Sequence, residues 1–156
     1  MGRRILIALD DSENAMRAVE YVANTFTPEH EITLFSLLPD TAVICDMNSP
    51  ELTPYFLSQQ TTFCVLEDKK KELIEGALTK AKEVLLQAGF EEKNVKIKVE
   101  TKKGGAAKGI IDEAKSGYGT VVLGRRGLSG VRDFLLGSIT QKVLHSAEDL
   151  SVLLVD

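Results

Sequence analysis

The 156-residue sequence predicts a doubly wound α/β fold, five parallel strands with helices on both faces. Three observations carry that expectation. Short apolar runs alternate with stretches in which apolar residues recur every three to four positions, the order of strand–helix–strand crossovers. Four of the runs, at residues 4–9 (RILIAL), 32–38 (ITLFSLL), 120–123 (TVVL) and 151–155 (SVLLV), are close to continuous in apolar side chains, as strands covered on both faces are. The helical stretches end at breakers: Pro28, Gly89 and Gly117. Crossovers between parallel strands are right-handed, which leaves few topologies. We expect the strand order 3-2-1-4-5 in one domain spanning residues 1–156.

Each element has its own warrant. The first strand ends at Asp10, and Asp11-Ser12-Glu13-Asn14 supplies short side chains able to accept from the free amides of a helix start. Ala15, Ala18, Val19, Val22, Ala23 and Phe26 then fall on one helical stripe. After the second strand, residues 39–63 contain Pro39, Pro50, Pro54 and several Ser and Thr, with no sustained period. Two readings stand for this segment: a long functional or mobile loop, or a partly helical insertion packed on the surface. A helix over about 65–88 follows, with Leu73, Ala77, Ala81, Val84, Leu85 and Ala88 inward and Gly89 as its stop. Residues 94–101 (NVKIKVET) alternate polar and apolar, as a half-exposed strand does. Gly104-Gly105 leads into a helix with Ala107, Ile110, Ile111 and Ala114 on one face, ended by Gly117.

The chemistry is concentrated in residues 119–139, GTVVLGRRGLSGVRDFLLGSI. Gly124 ends the fourth strand, Gly127, Gly130 and Gly137 punctuate the loop, and Gly137-Ser138 stands directly before Ile139, Val143 and Leu144 at helical spacing. Strand, glycine-rich loop and helix start form an order suited to holding phosphate. Glycine lets a ligand approach the main chain closely, and the free N–H groups and positive dipole end of a helix attract anions. Arg125, Arg126 and Arg132 add positive charge in the same loop. In a doubly wound sheet, ligands bind beyond the carboxyl ends of the strands where the order reverses, here between strands 1 and 4. Asp10 and Gly124 end those two strands, so residues far apart in sequence are expected to face one crevice. For Asp10 alone, a simple helix cap is the competing role.

The spacing Gly124-x2-Gly127-x9-Gly137-Ser138, with LGRRGLSG and LLGSITQKVL around it, resembles the ATP-binding branch of the universal stress protein family, and the similarity extends over essentially the whole chain. The resemblance implies the same strand order in a Rossmann-like, adenine-nucleotide-binding sandwich. It implies that Ala8, Leu9, Leu37 and Leu123 line an adenine pocket, each of which is equally explained as plain core. Asp10 helps to hold the nucleotide, and Gly124, Gly127, Gly137, Ser138 and Ile139 take the ribose and phosphates, with Arg126 in the same loop. It also implies a homodimer formed through the C-terminal strand, whose bare apolar edge is an association hazard unless paired. The sequence departs from the family pattern at Asp11, where glycine or an aromatic residue is common. Two adjacent carboxylates beside a triphosphate repel it unless a divalent cation, Mg²⁺ or Mn²⁺, lies between, with Asp10 as its ligand. Gly104-Gly105-Ala106 replaces a Gly-acidic-Pro turn, and Glu148-Asp149-Leu150-Ser151 lacks a Cys-Pro before the last strand.

Other classes are excluded or disfavoured. A net charge of −4 argues against a nucleic-acid binder. No apolar run approaches a membrane span, and Asp10-Asp11 cuts short the only signal-peptide-like start. P-loop, dinucleotide-binding and nucleophile-elbow motifs are absent. Cys45 and Cys64 lack metal-ligand spacing and read as two free thiols in a reducing cytoplasm, with a disulfide closing the loop between them as the competing reading, and His30 and His145 belong to no metal motif. Three functions from different classes remain: an ATP-binding regulatory protein with little turnover, an enzyme that hydrolyses or transfers from ATP, and a nucleotide-free interaction module. The glycine loop argues against the third, and the lack of a base near it against the second. A cytoplasmic, ATP-dependent regulator acting on a protein partner the sequence does not identify is the expectation, with weak ATP hydrolysis at most.

Overall fold

The computed structural model describes residues 3–9, 13–46, 53–102, 105–124 and 137–156. Five strands, β1 (Arg4–Ala8), β2 (Glu31–Pro39), β3 (Val95–Lys102), β4 (Thr120–Gly124) and β5 (Ser151–Val155), form one sheet in the order β3-β2-β1-β4-β5. Every neighbouring pair is parallel. The helices are α1 (Glu13–Thr25), α2 (Ala42–Cys45), α3 (Pro54–Gln87), α4 (Ala106–Ala114) and α5 (Ser138–Ser146). The expected fold and strand order are therefore observed. Among the described residues no helix is long and apolar enough to cross a membrane.

The central strands alternate between two cores, which is why they read as continuous apolar runs. Ile5 and Ile7 of β1, Ile32 and Leu34 of β2 and Val122 of β4 pack with α1 and α3 on one face. Leu6, Phe35, Val121 and Leu123 pack with Ile110 of α4 and Val143 of α5 on the other. Each such side chain, fully buried, contributes about 1.5–3 kcal/mol of transfer free energy. Strand β3 lies at the edge, and only Val95 among its residues 95–100 is buried. Its lysines blunt an edge that would otherwise template aggregation. Gly89 and Gly117, at φ 105° and 94°, are the stops expected after α3 and α4, and a side chain would be strained at either.

Three expectations are corrected. Helix α3 begins at Pro54 rather than near residue 65, so with α2 most of the described part of the ambiguous segment is helix, the second of its two readings. Thr53 caps it, its hydroxyl accepting from the amide of Phe56 at 3.2 Å, and Pro54 fits the first turn, where no amide bond is lost. Its buried stripe is Ile74, Leu78, Ala81 and Leu85; Leu73 is 61% exposed and Ala88 is exposed, because the helix is turned one position from the expected face. Cys45 and Cys64 are not free thiols but a disulfide joining α2 to α3. A bond from the Gln60 amide to the Ile44 carbonyl runs beside it.

On the α4 face, a charged cluster sits against the core. Glu113 of α4, 7% exposed, accepts from the Lys98 ammonium of β3 at 2.7 Å and from the Tyr118 hydroxyl at 2.9 Å. The bond to Glu113 holds Lys98 above the ordinary lysine range despite opposing desolvation, and burial pushes the Tyr118 phenol up. Both polar partners satisfy a carboxylate that would otherwise be costly to bury.

Candidate functional site

Parallel pairing brings the carboxyl ends of β1 and β4 together: Ile7 is in register with Val122, so Ala8 and Leu123 are the next residues on neighbouring strands. The order reverses at this point, β1 connecting by α1 toward β2 and β4 connecting by α5 toward β5. Between the diverging connections lies the crevice in which doubly wound sheets take ligands.

The described candidate residues fall around it in two groups. Ala8, Leu37 and Leu123 belong to the core on the α4 and α5 face, with Leu123 4% exposed and Ala8 and Leu37 only half-buried. Leu37 lies under Gly109 of α4, where a Cβ would come within 2.7 Å of the leucine methyl. Leu9 belongs instead to the core on the α1 and α3 face and is 7% exposed. Its backbone is held on both sides, its amide donating to the Phe35 carbonyl at 2.8 Å and its carbonyl accepting from the buried Ser36 hydroxyl at 2.6 Å. The main chain at the mouth of β1 is thus fixed before any ligand arrives.

The polar side of the crevice is the start of α5. Gly137 is the N-cap, at φ −59°, ψ 150°, a conformation open to any residue. What glycine changes here is the missing side chain: no N-cap group accepts from the first-turn amides. Those amides and the helix dipole are suited to an external anion. Ser138 and Ile139 are exposed on this first turn, Ile139 by 40%. Thr140, 4% exposed, donates from its hydroxyl to the Gly124 carbonyl at 3.2 Å and so ties the helix start to the end of β4. The structure therefore brings Ala8, Leu9, Leu123, Gly124, Gly137, Ser138 and Ile139 to one edge of the sheet, with Leu37 one strand further on. Asp10, Arg126 and Gly127 lie outside the described residues.

Ser36 and Thr140 escaped sequence reasoning, yet both fix the crevice backbone. Ser36 carried a signal, a polar residue inside an otherwise apolar strand. Thr140 carried none beyond its place two residues after Ser138. A cavity of about 200 Å³ elsewhere, lined by Tyr118, Val143, Asp149 and Leu150 among others, lies at the amino ends of β4 and β5, away from the crevice. Among the described residues no cluster of three or more His, Cys, Asp or Glu could hold a metal ion.

Residues 1–156 match the model of the universal stress protein family. The chain is 30% identical to the universal stress protein Sll1388 of Synechocystis sp., covering 97% of this chain and 96% of that one. Its fold is similar to that of the universal stress protein UspA from Lactobacillus plantarum, with a TM-score of 0.71, 22% identity and 99% and 97% of the two chains covered. It is also similar to an Arabidopsis thaliana universal stress protein family protein with AMP bound, at a TM-score of 0.63 and 15% identity, covering 98% and 90%.

Proposed function

This chain belongs to the universal stress protein family, and from that membership we propose an ATP-binding regulatory protein in which the crevice between β1 and β4 takes the nucleotide. The observation that carries this reading is the juxtaposition of Gly124 with the uncapped start of α5, locked by Thr140. First-turn amides of α5 and the Ser138 hydroxyl donate to phosphate oxygens, and Gly127 and Arg126 complete the anion site from the loop. Ala8, Leu9, Leu37 and Leu123 offer apolar surface to the adenine. The AMP bound to the Arabidopsis relative supports an adenine nucleotide as the ligand class.

Asp10 stands next in the chain after Leu9, whose backbone is fixed at both its amide and its carbonyl. We assign Asp10 the role of ligand for Mg²⁺ or Mn²⁺ accompanying ATP. The cation supplies charge neutralisation between carboxylate and phosphates. Bound nucleotide, rather than its turnover, sets the regulatory state in this reading, with a protein partner as the reader. Pairing of β5 edges gives a homodimer, and the compartment is the cytoplasm, where the Cys45–Cys64 bond would be exposed to reduction.

Native mass spectrometry of the purified chain with ATP and Mg²⁺ tests the proposal. One nucleotide per chain is expected. A spectrum of bare chains at saturating ATP refutes it and favours a nucleotide-free interaction module.

A further inference from the structure

The Cys45–Cys64 disulfide joins two parts of the chain that lie outside both cores. Ile44 and Cys45 of α2 belong to neither core cluster, and no residue of α3 from 54 to 73 is buried. The packed stripe of α3 starts at Ile74, about 15 Å along the helix from Cys64. Opening the bond therefore takes no side chain out of the packing that holds the sheet. Both cysteines are half-buried, and their chain neighbours are open to solvent: Ile44 is 43% exposed, Val65 49%, and Asp46 and Phe63 are exposed too. Exchange needs a thiolate to reach a sulfur, and such access separates labile disulfides from those sealed in a core. These are the only two cysteines in the sequence, so the bond opens and closes without reshuffling to a third.

The segment that the bond holds is small. Helix α2 is four residues, a single turn, far below the length at which a helix persists by itself in water. Besides the disulfide, a bond from the Gln60 amide to the Ile44 carbonyl ties it to α3. One neutral hydrogen bond returns less than the ordering of four residues costs, so the covalent link decides whether α2 stays docked. Its place gives release a consequence. Strands β2 and β3 are parallel, so α3 carries the chain from the carboxyl end of β2 back to the amino end of β3. Helix α2 and the unpacked half of α3 thus stand at the carboxyl edge of the sheet, where the crevice between β1 and β4 opens. Only Asp40 and Thr41 separate α2 from Pro39, the last residue of β2.

We propose that Cys45–Cys64 is a reversible redox site, opened by a dithiol reductant, and that opening it frees α2 from α3 while the sheet stays folded. A thiolate of the reductant attacks one sulfur, and the other leaves and takes up a proton. The reductant's second thiol then displaces the mixed disulfide, so two electrons leave the reductant, which departs as its own disulfide, and the chain gains two thiols. The oxidised form of the same reductant runs the exchange backwards. Return is intramolecular once a mixed disulfide forms, because the two cysteines are 19 positions apart on one chain. The site changes the surface beside the crevice whether or not the crevice takes ATP.

The test uses dithiothreitol and its oxidised form as the couple, without denaturant, with acid quenching and a maleimide label counted by mass spectrometry. The air-purified chain should take no label, two after millimolar dithiothreitol, and none again after return to the oxidised form. Two labels before any reductant, or labels that appear only in urea that unfolds the chain, overturn the proposal. Hydrogen exchange reads the release. In the reduced chain, amides of residues 42–46 should exchange about tenfold faster or more, while those of β1 and β2 keep their protection. Unchanged exchange at 42–46 overturns the release, and lost protection throughout β1 and β2 shows a bond that holds the fold and overturns it equally. The Cys45→Ser/Cys64→Ser chain should show the reduced pattern with and without dithiothreitol; the oxidised pattern in that variant contradicts the proposal.

Discussion

Ser138 and Thr140 stand two residues apart in the first turn of α5, and their loss should be felt in different quantities. Ser138 is exposed and makes no side-chain hydrogen bond among the described residues, whereas Thr140 is buried and holds the Gly124 carbonyl. Ser138→Ala should leave the unliganded stability unchanged and weaken ATP binding about ten- to hundredfold, since a hydrogen bond to a charged group contributes about 1.5–3 kcal/mol. Thr140→Val keeps the shape, removes the bond to Gly124 and should cost about 1 kcal/mol or more of unliganded stability. Urea unfolding with and without ATP separates the two. Equal loss of unliganded stability in both variants, or full ATP affinity in Ser138→Ala, contradicts the assignment. Glu113 shows where a residue-level signal was present and unused. It lies three positions after Ile110 and one before Ala114, on a stripe read as purely apolar, and a charge there demands partners that the chain supplies as Lys98 and Tyr118.

At the level of elements, legibility followed how each segment is buried. Strands β1, β2 and β4 were readable because a buried parallel strand leaves little room for polar side chains; β5 is an edge, but its Val152, Leu153 and Leu154 are half-buried against the two cores and read the same way. Strand β3, the other edge, carries Lys96, Lys98 and Glu100 between its apolar residues because it is exposed beyond Val95. Helix α3 was read from about residue 65, where its packed part comes near; the turns from Pro54 to there have no buried stripe for periodicity to detect. Thr53-Pro54 was the available signal for its start, a cap followed by a first-turn proline, and was read as loop punctuation. The disulfide was hidden for the same reason, since the proximity of Cys45 and Cys64 depends on α2 folding back along a helix not yet recognised. The bond spans 19 positions, and closing a loop of that size restricts the unfolded chain by about 3 kcal/mol. Cys64→Ser, or wild type under reductant, should lose roughly that much in urea unfolding, and reductant should have no further effect on Cys64→Ser. Identical unfolding of oxidised and reduced wild type would show that the cross-link does not stabilise the fold.

For the whole molecule, topology alone placed the crevice. Once the order β3-β2-β1-β4-β5 is set, the carboxyl ends of β1 and β4 face one opening whatever the loops do. That is why Gly124, Gly137 and Ser138 could be placed at the candidate site before any geometry was known. The division of the apolar set between two cores, Leu9 on one face and Ala8, Leu37 and Leu123 on the other, could not be read from the residues themselves. It depends on the pleat, which turns successive side chains to opposite faces. The central claim is that this opening binds ATP through the glycine loop and the start of α5. Thermal unfolding of wild type and Gly127→Val across an ATP titration with Mg²⁺ tests it most directly, because a ligand of the native state stabilises it by about 2.7 kcal/mol at a hundredfold excess over its dissociation constant. Wild type should gain stability progressively with ATP, while Gly127→Val, with a branched side chain where the proposal has phosphate meet the backbone, should gain none. A nucleotide-free wild type that shows no gain, or a Gly127→Val protein that gains as much as wild type, would contradict the claim.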